Sequence, residues 1–256
     1  MSKTVNWIFA FLLIAILLFD RWMPISGWLY VVLCAIYIGV LVYGSSVLSA
    51  GFFIPVISRG NSSREVALTF DDGPVAGRTD KILDILGEYG VPAAFFCVGK
   101  RVDAHPELVH RMHDEGHLVG NHSYFHRVTF DLQSAAAIGR ELDATDLAID
   151  KVIGVRPVCF RPPFGVTNPM VATAVRKGNY KTIGWSVRSF DTVIDDRSRL
   201  LSRITRSLKG GDIILLHDHG PCTLEVLSDL IKQVSALGLK IVRVDELLNE
   251  RGYAQG

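Results

Sequence analysis

The sequence predicts an α/β protein, a barrel-like parallel sheet of about seven βα units preceded by an N-terminal transmembrane helical hairpin. Three observations predict it. The first 57 residues hold only three charged side chains, Lys3, Asp20 and Arg21. After residue 64, apolar strand-like runs alternate with helix-like runs, the pattern of parallel strands joined by crossover helices. Candidate polar groups fall just past the strand-like runs, where a parallel barrel keeps its chemistry.

Residues 5–19 form an uncharged apolar run of 15 residues that Asp20 and Arg21 end. At ~1.5 Å per residue it reaches about 22 Å, short of a hydrocarbon core of ~30 Å. With Lys3 ahead of it, it also reads as a signal-peptide core. No small-residue cleavage site follows, and a second run begins at once, with no charge from Trp22 to Ser58. Residues 25–53 are long enough to span, with Trp28 and Tyr30 placed as interfacial aromatics. The expectation is a membrane anchor over 1–57, with spans near 4–20 and 27–50, in an integral protein of the cell (inner) membrane. A single uncleaved anchor is the alternative. Lys3, Arg59 and Arg64 favour a hairpin with both ends inside; a single span would place the rest across the membrane.

Residues 58–63 read as a polar linker opening a second domain, 58–256. Its strands are expected at 65–70, 93–98, 117–120, 158–161, 181–187, 212–217 and 240–244. Its helices are expected near 78–89, 106–115, 132–151, 168–177, 198–208, 223–237 and 245–250. No repeat or low-complexity segment interrupts them. Beyond residue 57 the chain carries 25 basic and 25 acidic residues. That balance, with no basic stripe, gives no electrostatic case for nucleic acid. Cys34, Cys97, Cys159 and Cys222 form no CxxC pair and read as small apolar residues. No protein partner is inferable.

The chemistry begins at Asp71-Asp72-Gly73-Pro74, a strand end followed by turn residues. Adjacent strand residues point to opposite faces, so the chain must twist there if both acids are to serve one site. His122 and His126 stand at i and i+4 after an apolar strand, which on a helical turn puts both imidazoles on one face. His105, His110, His113 and His117 read instead as a solvated helix face. Arg161 precedes two prolines that stiffen its loop and Phe164, a flat apolar wall. His217 ends a buried strand. Two histidines and a carboxylate make an open metal set for which zinc is the default and cobalt, nickel or iron also fit.

Thr69-Phe70-Asp71-Asp72-Gly73, His122-Ser123-x-x-His126, Arg161-x-Pro163-Phe164 and Leu215-x-His217 occur in that order. Together they resemble the polysaccharide deacetylase family (NodB-homology domain, carbohydrate esterase family 4) over residues 62–250. The resemblance implies an incomplete or distorted (β/α)7-type barrel and metal-dependent deacetylation of N-acetylated sugars. It implies Asp72, His122 and His126 as metal ligands, Asp71 as general base and His217 as general acid. Arg161 would orient Asp71, Asp191 would support the acid or the arginine, and Leu215 and Trp185 would wall the acetyl pocket. The fourth motif departs from the family pattern: Arg188 stands for an acid and Thr192 for a tryptophan. That makes the rim more cationic, unless Arg188 pairs with Asp195 or Asp196.

The expected activity is removal of N-acetyl groups from a cell-envelope glycan, peptidoglycan or another N-acetylglucosamine polymer. The alternatives are an N-deacylase or deformylase of a lipid-linked sugar (a glycolipid substrate) at the membrane face, an inactive membrane-tethered glycan-binding relative, and an amidohydrolase of a non-sugar amide.

Overall fold

The computed structural model describes residues 1–254. Helices α1 (Ser2–Asp20) and α2 (Gly27–Ser46) run 19 and 20 residues, about 28 and 30 Å. Both have a mean hydropathy of 2.0, and the rest of the protein covers none of α1 and only the end of α2, at Gly44. Ser2–Thr4 and Asp20 join the first apolar run to the helix, which makes it longer than that run alone. Asp20 organises the turn between the helices: its carboxylate accepts from the Ile25 N–H at 2.6 Å and the Tyr30 hydroxyl at 3.0 Å. Phe9 stacks on Tyr37 at 4.0 Å between ring centres.

The second part is an open parallel barrel. In order come β1 (Glu65–Asp71), α3 (Thr79–Tyr89), β2 (Ala94–Cys97), α4 (Gly99–Ala104), α5 (Pro106–Asp114), β3 (Leu118–Asn121), α6 (Ala135–Ile153), β4 (Cys159–Phe160) and α7 (Pro169–Lys177). Then follow β5 (Lys181–Thr182), β6 (Val187–Arg188), α8 (Arg197–Thr205), β7 (Ile213–His217), α9 (Thr223–Ala236), β8 (Lys240–Ile241) and α10 (Val244–Leu248). The sheet order is β5-β4-β3-β2-β1-β7-β6, with β8 against the start of β1. Every pairing between these strands is parallel. β1 lies at the centre and is buried over its last six residues, as expected of a parallel strand covered on both faces.

β5 and β6 follow each other in sequence yet lie at opposite edges, so the barrel stays open between them. The run predicted as one strand, 181–187, is broken because the carbonyls of Ile183 and Gly184 turn to accept from the Arg161 guanidinium. The predicted linker does more than connect. Ile57 pairs with Ile183 and Arg59 with Asp212, and Gly60 donates to the Gly211 carbonyl at 2.8 Å. Free sheet edges carry unpaired N–H and C=O groups, and this segment satisfies some of them.

Three apolar clusters fill the layers. Leu68, Phe70, Phe95 and Ile214 pack outward on Ile82, Leu86, Val226 and Leu230 of the helices. Ala67, Phe96, Cys159 and Ile213 point inward, over Val244 and Leu247 of α10. Phe130, Ile138, Phe160 and Val171 enclose Ile54, which follows the second apolar helix. Ser45 of α2 also exchanges two bonds with Thr167: its hydroxyl donates to the Thr167 carbonyl at 2.6 Å, and the Thr167 N–H donates back at 3.1 Å.

α7 shows how the loops beyond the strands are pinned. Pro169 takes the first helical position, and the Asn168 side chain accepts from the Met170 and Val171 N–H groups, both at 2.9 Å. Asn168→Ala is expected to cost about 1 kcal/mol, a fall in Tm of roughly 2–4 °C in detergent. Asn168→Asp keeps the cap but loses the amide donor to the Asp131 carbonyl, so it should recover only part of that stability.

Candidate metal and catalytic site

β1 delivers both acids to one site because Asp72 leaves the strand conformation. Its φ is +72°, a left-handed geometry that Asp tolerates better than most residues. The turn therefore lies in Asp72 itself as well as in the Gly73-Pro74 that follows. Ser123, His126, Phe164 and Phe190 also have positive φ. Such backbone strain gathers where a fold must aim side chains.

His122 follows β3 with its ring buried. Its Nδ1 lies 2.8 Å from the Arg161 carbonyl; a carbonyl only accepts, so Nδ1 carries the proton and Nε2 is left as a lone pair. His126 does not reach the site on a helical turn, as the i, i+4 spacing suggested. Left-handed Ser123 and His126 fold the segment into a loop, with ring centres 4.8 Å apart. Long-range bonds force that shape. Asn121 accepts from the Ser123 N–H at 2.9 Å and donates to the Leu142 carbonyl and Asp146. Glu141 of α6 accepts from the Phe125 N–H at 3.1 Å.

Asp72 Oδ1 lies 3.5 Å from His122 Nε2 and 3.2 Å from His126 Nε2. It is buried, and neither approach has hydrogen-bond geometry. The three donor atoms lie within 4.8 Å of one another. Two imidazole nitrogens and a carboxylate oxygen converging with an orphaned oxygen among them fit a divalent cation with mixed N/O preference. The charge states agree. Burial, then the charge of His122, pushes His126 down to about 4, so its lone pair is free at neutral pH. Burial alone would raise Asp72, but its contact with His122 and the charges of His122, His126 and His217 hold it well below the usual carboxylate range.

Arg161 is fully buried behind this group. Nη1 donates to Asp71 Oδ1 at 2.7 Å and to the Thr69 hydroxyl at 2.9 Å. Nε and Nη2 donate to the Ile183 and Gly184 carbonyls at 3.1 and 2.9 Å. Its plane lies 4.1 Å over the Phe96 ring and 5.7 Å from that of Trp185. Asp71 Oδ2 receives no hydrogen bond among the described residues and lies 3.9 Å from His122 Nε2.

His217 ends β7 in register with Asp71. Its Nδ1 bonds Asp191 Oδ1 at 2.8 Å and its N–H bonds Oδ2 at 2.7 Å. Ser189 and Thr223 hydroxyls complete the carboxylate at 2.8 and 2.7 Å. Burial would lower the His217 pKa, but Asp191, Asp71 and Asp72 raise it above the ordinary imidazole value. Leu215 lies two residues earlier, on the same strand face. Trp185 packs its ring against Gly165, and the Phe164 ring lies 4.7 Å from His126.

Five further features differ from the sequence reading or were missed by it. Arg188 pairs with no carboxylate among the described residues; it lies 4.7 Å over the Phe190 ring, while Asp196 caps α8. His117 is buried, accepting from the Ala93 N–H at 3.1 Å, because it stands immediately before β3, past the end of α5. His219 reaches within 3.5 Å of Asp72 Oδ2. Lys100 and Arg101 line a pocket of about 370 Å³ with Asp72, Phe125, His126 and Phe164. Lys100, Arg101 and His219 all follow strand ends, so the rule that located the other groups could have found them. Buried Asp218 accepts from the Thr79 hydroxyl, and burial pushes its carboxyl up to about 7.

In the metal-free protein, Asp191→Asn is expected to lower the His217 pKa, read by imidazole NMR titration. Folding raises this pKa, so the pair's stabilisation is complete below the unfolded value of about 6.5 and fades as pH rises through the folded value. The variant should lose that pH-dependent increment.

Residues 58–183 match the family model for polysaccharide deacetylase. The peptidoglycan-N-acetylmuramic acid deacetylase PdaA of Bacillus subtilis (strain 168) is 33% identical over 197 residues, 75% of this chain and 74% of that protein. The peptidoglycan-N-acetylglucosamine deacetylase PgdA of Listeria monocytogenes is 31% identical over 198 residues, 77% of this chain but 42% of its own length. The crystal structure of the Bc1960 peptidoglycan N-acetylglucosamine deacetylase matches with a TM-score of 0.73 at 27% identity, over 78% of this chain and 95% of that one. With its open parallel barrel and its motif residues gathered at the strand ends, this chain belongs to the polysaccharide deacetylase family.

Proposed function

We propose that the chain is a metal-dependent hydrolase that removes N-acetyl groups from amino sugars of a cell-envelope glycan. One observation carries this reading: three lone-pair donors converge between a carboxylate held by a buried arginine and a histidine backed by a buried carboxylate. The names of the relatives, which act on N-acetylglucosamine or N-acetylmuramic acid in peptidoglycan, support the choice of glycan.

Amide hydrolysis needs an activated water, stabilisation of the developing oxyanion, and a proton for the leaving nitrogen. A divalent cation held by Asp72, His122 and His126, zinc by preference with cobalt, nickel or iron as alternatives, would supply Lewis acidity at the amide carbonyl and the attacking water. Asp71 is the base: Oδ1 is tied to Arg161 and Oδ2 is free to take the proton. Arg161 keeps that carboxylate aimed. His217 is the acid. Its Nδ1 is engaged by Asp191, so it donates from Nε2, and its raised pKa keeps it protonated until the amine departs. Leu215, Trp185 and Phe164 give the acetyl methyl an apolar wall, and a backbone N–H beside Phe164 could assist at the oxyanion. α1 and α2 anchor the protein in the cell membrane, residues 1–57 forming the anchor and 58–256 the deacetylase domain.

Acetate release and bound metal, measured together on the full chain in detergent, test the division of labour. Asp71→Asn should lower turnover by about 10²-fold or more and keep the metal. Asp72→Asn should lose both; equal metal content and equal residual activity in the two variants would refute the roles. Chelation should abolish acetate release, and added zinc or cobalt should restore it.

A further inference from the structure

The candidate site opens next to the end of the second apolar helix. Thr167 stands three residues after Phe164 and exchanges two hydrogen bonds with Ser45 of α2. Gly44 lies against the Phe52 ring, so close that a Cβ would fall 2.4 Å from it. The Ser2 N–H donates to the Phe52 carbonyl at 3.2 Å. The end of α2 therefore meets the barrel at the loop that carries Phe164, and the start of α1 meets the segment that joins α2 to the barrel. The loop after His126 lies beside it: Asn168 donates to the Asp131 carbonyl at 2.5 Å.

These two loops carry apolar side chains outward. Of the nine large apolar residues exposed between residues 58 and 254, five lie on or next to them: Val128, Leu132 and Phe164 on the loops, Phe125 just before His126, and Met170 in the first turn of α7. Val128 and Leu132 are 79% and 78% exposed. Single exposed apolar residues need no explanation, but a group continuous with two uncovered apolar helices marks a lipid-facing edge. Basic side chains accompany it. Arg127 stacks over Phe125 at 4.3 Å, and Arg176 donates to the Phe53 carbonyl at 3.3 Å, at the helix end. Such groups lie at headgroup level, where anionic lipids attract them.

We propose that these two loops rest in the headgroup layer and that the site takes an amino sugar carried on a membrane lipid, which reaches Asp72, His122 and His126 from the bilayer surface between Phe125 and Phe164. This rests on the reading of α1 and α2 as spans and of the site as a sugar deacetylase. The bilayer is the occupant of the apolar edge because that edge continues the surface of the spanning helices. The sugar must then be presented at the membrane, and a lipid anchor does so.

The test uses the full chain in vesicles of phosphatidylethanolamine and phosphatidylglycerol and has two readouts. In a Cys34→Ser background, bimane is attached at Val128→Cys or, on the far side of the barrel, at Leu237→Cys, and quenched by bromolipids. Quenching at 128 should exceed that at 237 by about threefold or more; equal quenching overturns the docking. The second readout compares acetate release from octadecyl N-acetylglucosaminide in the vesicles with release from a soluble N-acetylglucosamine pentamer. The double variant Val128→Asp/Leu132→Asp should slow the lipid substrate by roughly tenfold or more and change the pentamer by less than about twofold. Preference for the pentamer, or equal slowing of both, overturns the proposal and leaves the deacetylase reading standing. Acetate from neither substrate counts against the deacetylase reading itself, and bromolipid quenching still decides whether the site faces the bilayer.

Discussion

The buried guanidinium of Arg161 is the constraint on which the rest of the site depends. A charge removed from water must have its donors satisfied, and four of its five N–H groups are bonded, to Asp71, Thr69, Ile183 and Gly184. Two of those partners are carbonyls of a chain segment that would otherwise continue as a strand. The break between β5 and β6, and with it the open side of the barrel, follows from supplying them. The same residue offers its own carbonyl to His122 Nδ1. One side chain and its backbone thus fix the Asp71 carboxylate proposed as base, the tautomer of the candidate metal ligand His122 and the shape of the sheet. A lysine could not replace it, since a compact ammonium has no planar fork to span two strands and lacks the flat face that lies on Phe96.

The histidines divide according to what their Nδ1 meets. A neutral carbonyl behind His122 orients the ring and leaves a lone pair on Nε2. A buried carboxylate behind His217, itself held by two hydroxyls, favours the cation and leaves a proton on Nε2. Two similar side chains at the ends of parallel strands of one sheet, with β2 and β1 between them, are suited to opposite tasks, one to hold a cation and one to give up a proton. His126 reaches the same condition as His122 by another route, because burial keeps it neutral.

What the sequence revealed and what it hid follow the reach of the interactions involved. The strands were legible because each is a short apolar run ended by glycine or polar residues. The site was legible because parallel strands aim their C-terminal ends at one place, so Asp71, His122, Arg161 and His217 needed no further geometry to be grouped. The His122–His126 loop was not legible. Its spacing suits a helical turn, and it takes another shape because Asn121 and Glu141, one of them on α6, bind its backbone. The break at Ile183 was hidden for the same reason, since it answers a charge 22 residues earlier. Residues 58–63 looked like a polar linker because nothing local says that a sheet edge lies beside them. Arg188 looked like half of an ion pair, but Asp196 is engaged in capping α8 and the guanidinium lies over an aromatic face instead.

The connection between the helical hairpin and the barrel bears on how the site meets its substrate. A tether would be polar and exposed, and it would let the barrel turn freely above a membrane. Between Ser46 and Ile57 the chain instead buries Leu48, Phe52 and Ile54, the last of them inside a cluster with Phe130 and Phe160. Ordering those residues costs conformational entropy that a tether would keep, and the return is a fixed orientation. On the proposed membrane reading, the loops bearing His126 and Phe164 are held at the bilayer surface and not averaged over all directions. A substrate confined to that surface then meets a site already facing it, so the orientational cost of each encounter is met once, in folding. A polymer in solution gains nothing from such an arrangement, which is why the rigid joint between Ser45 and Thr167 bears on substrate class as well as on stability.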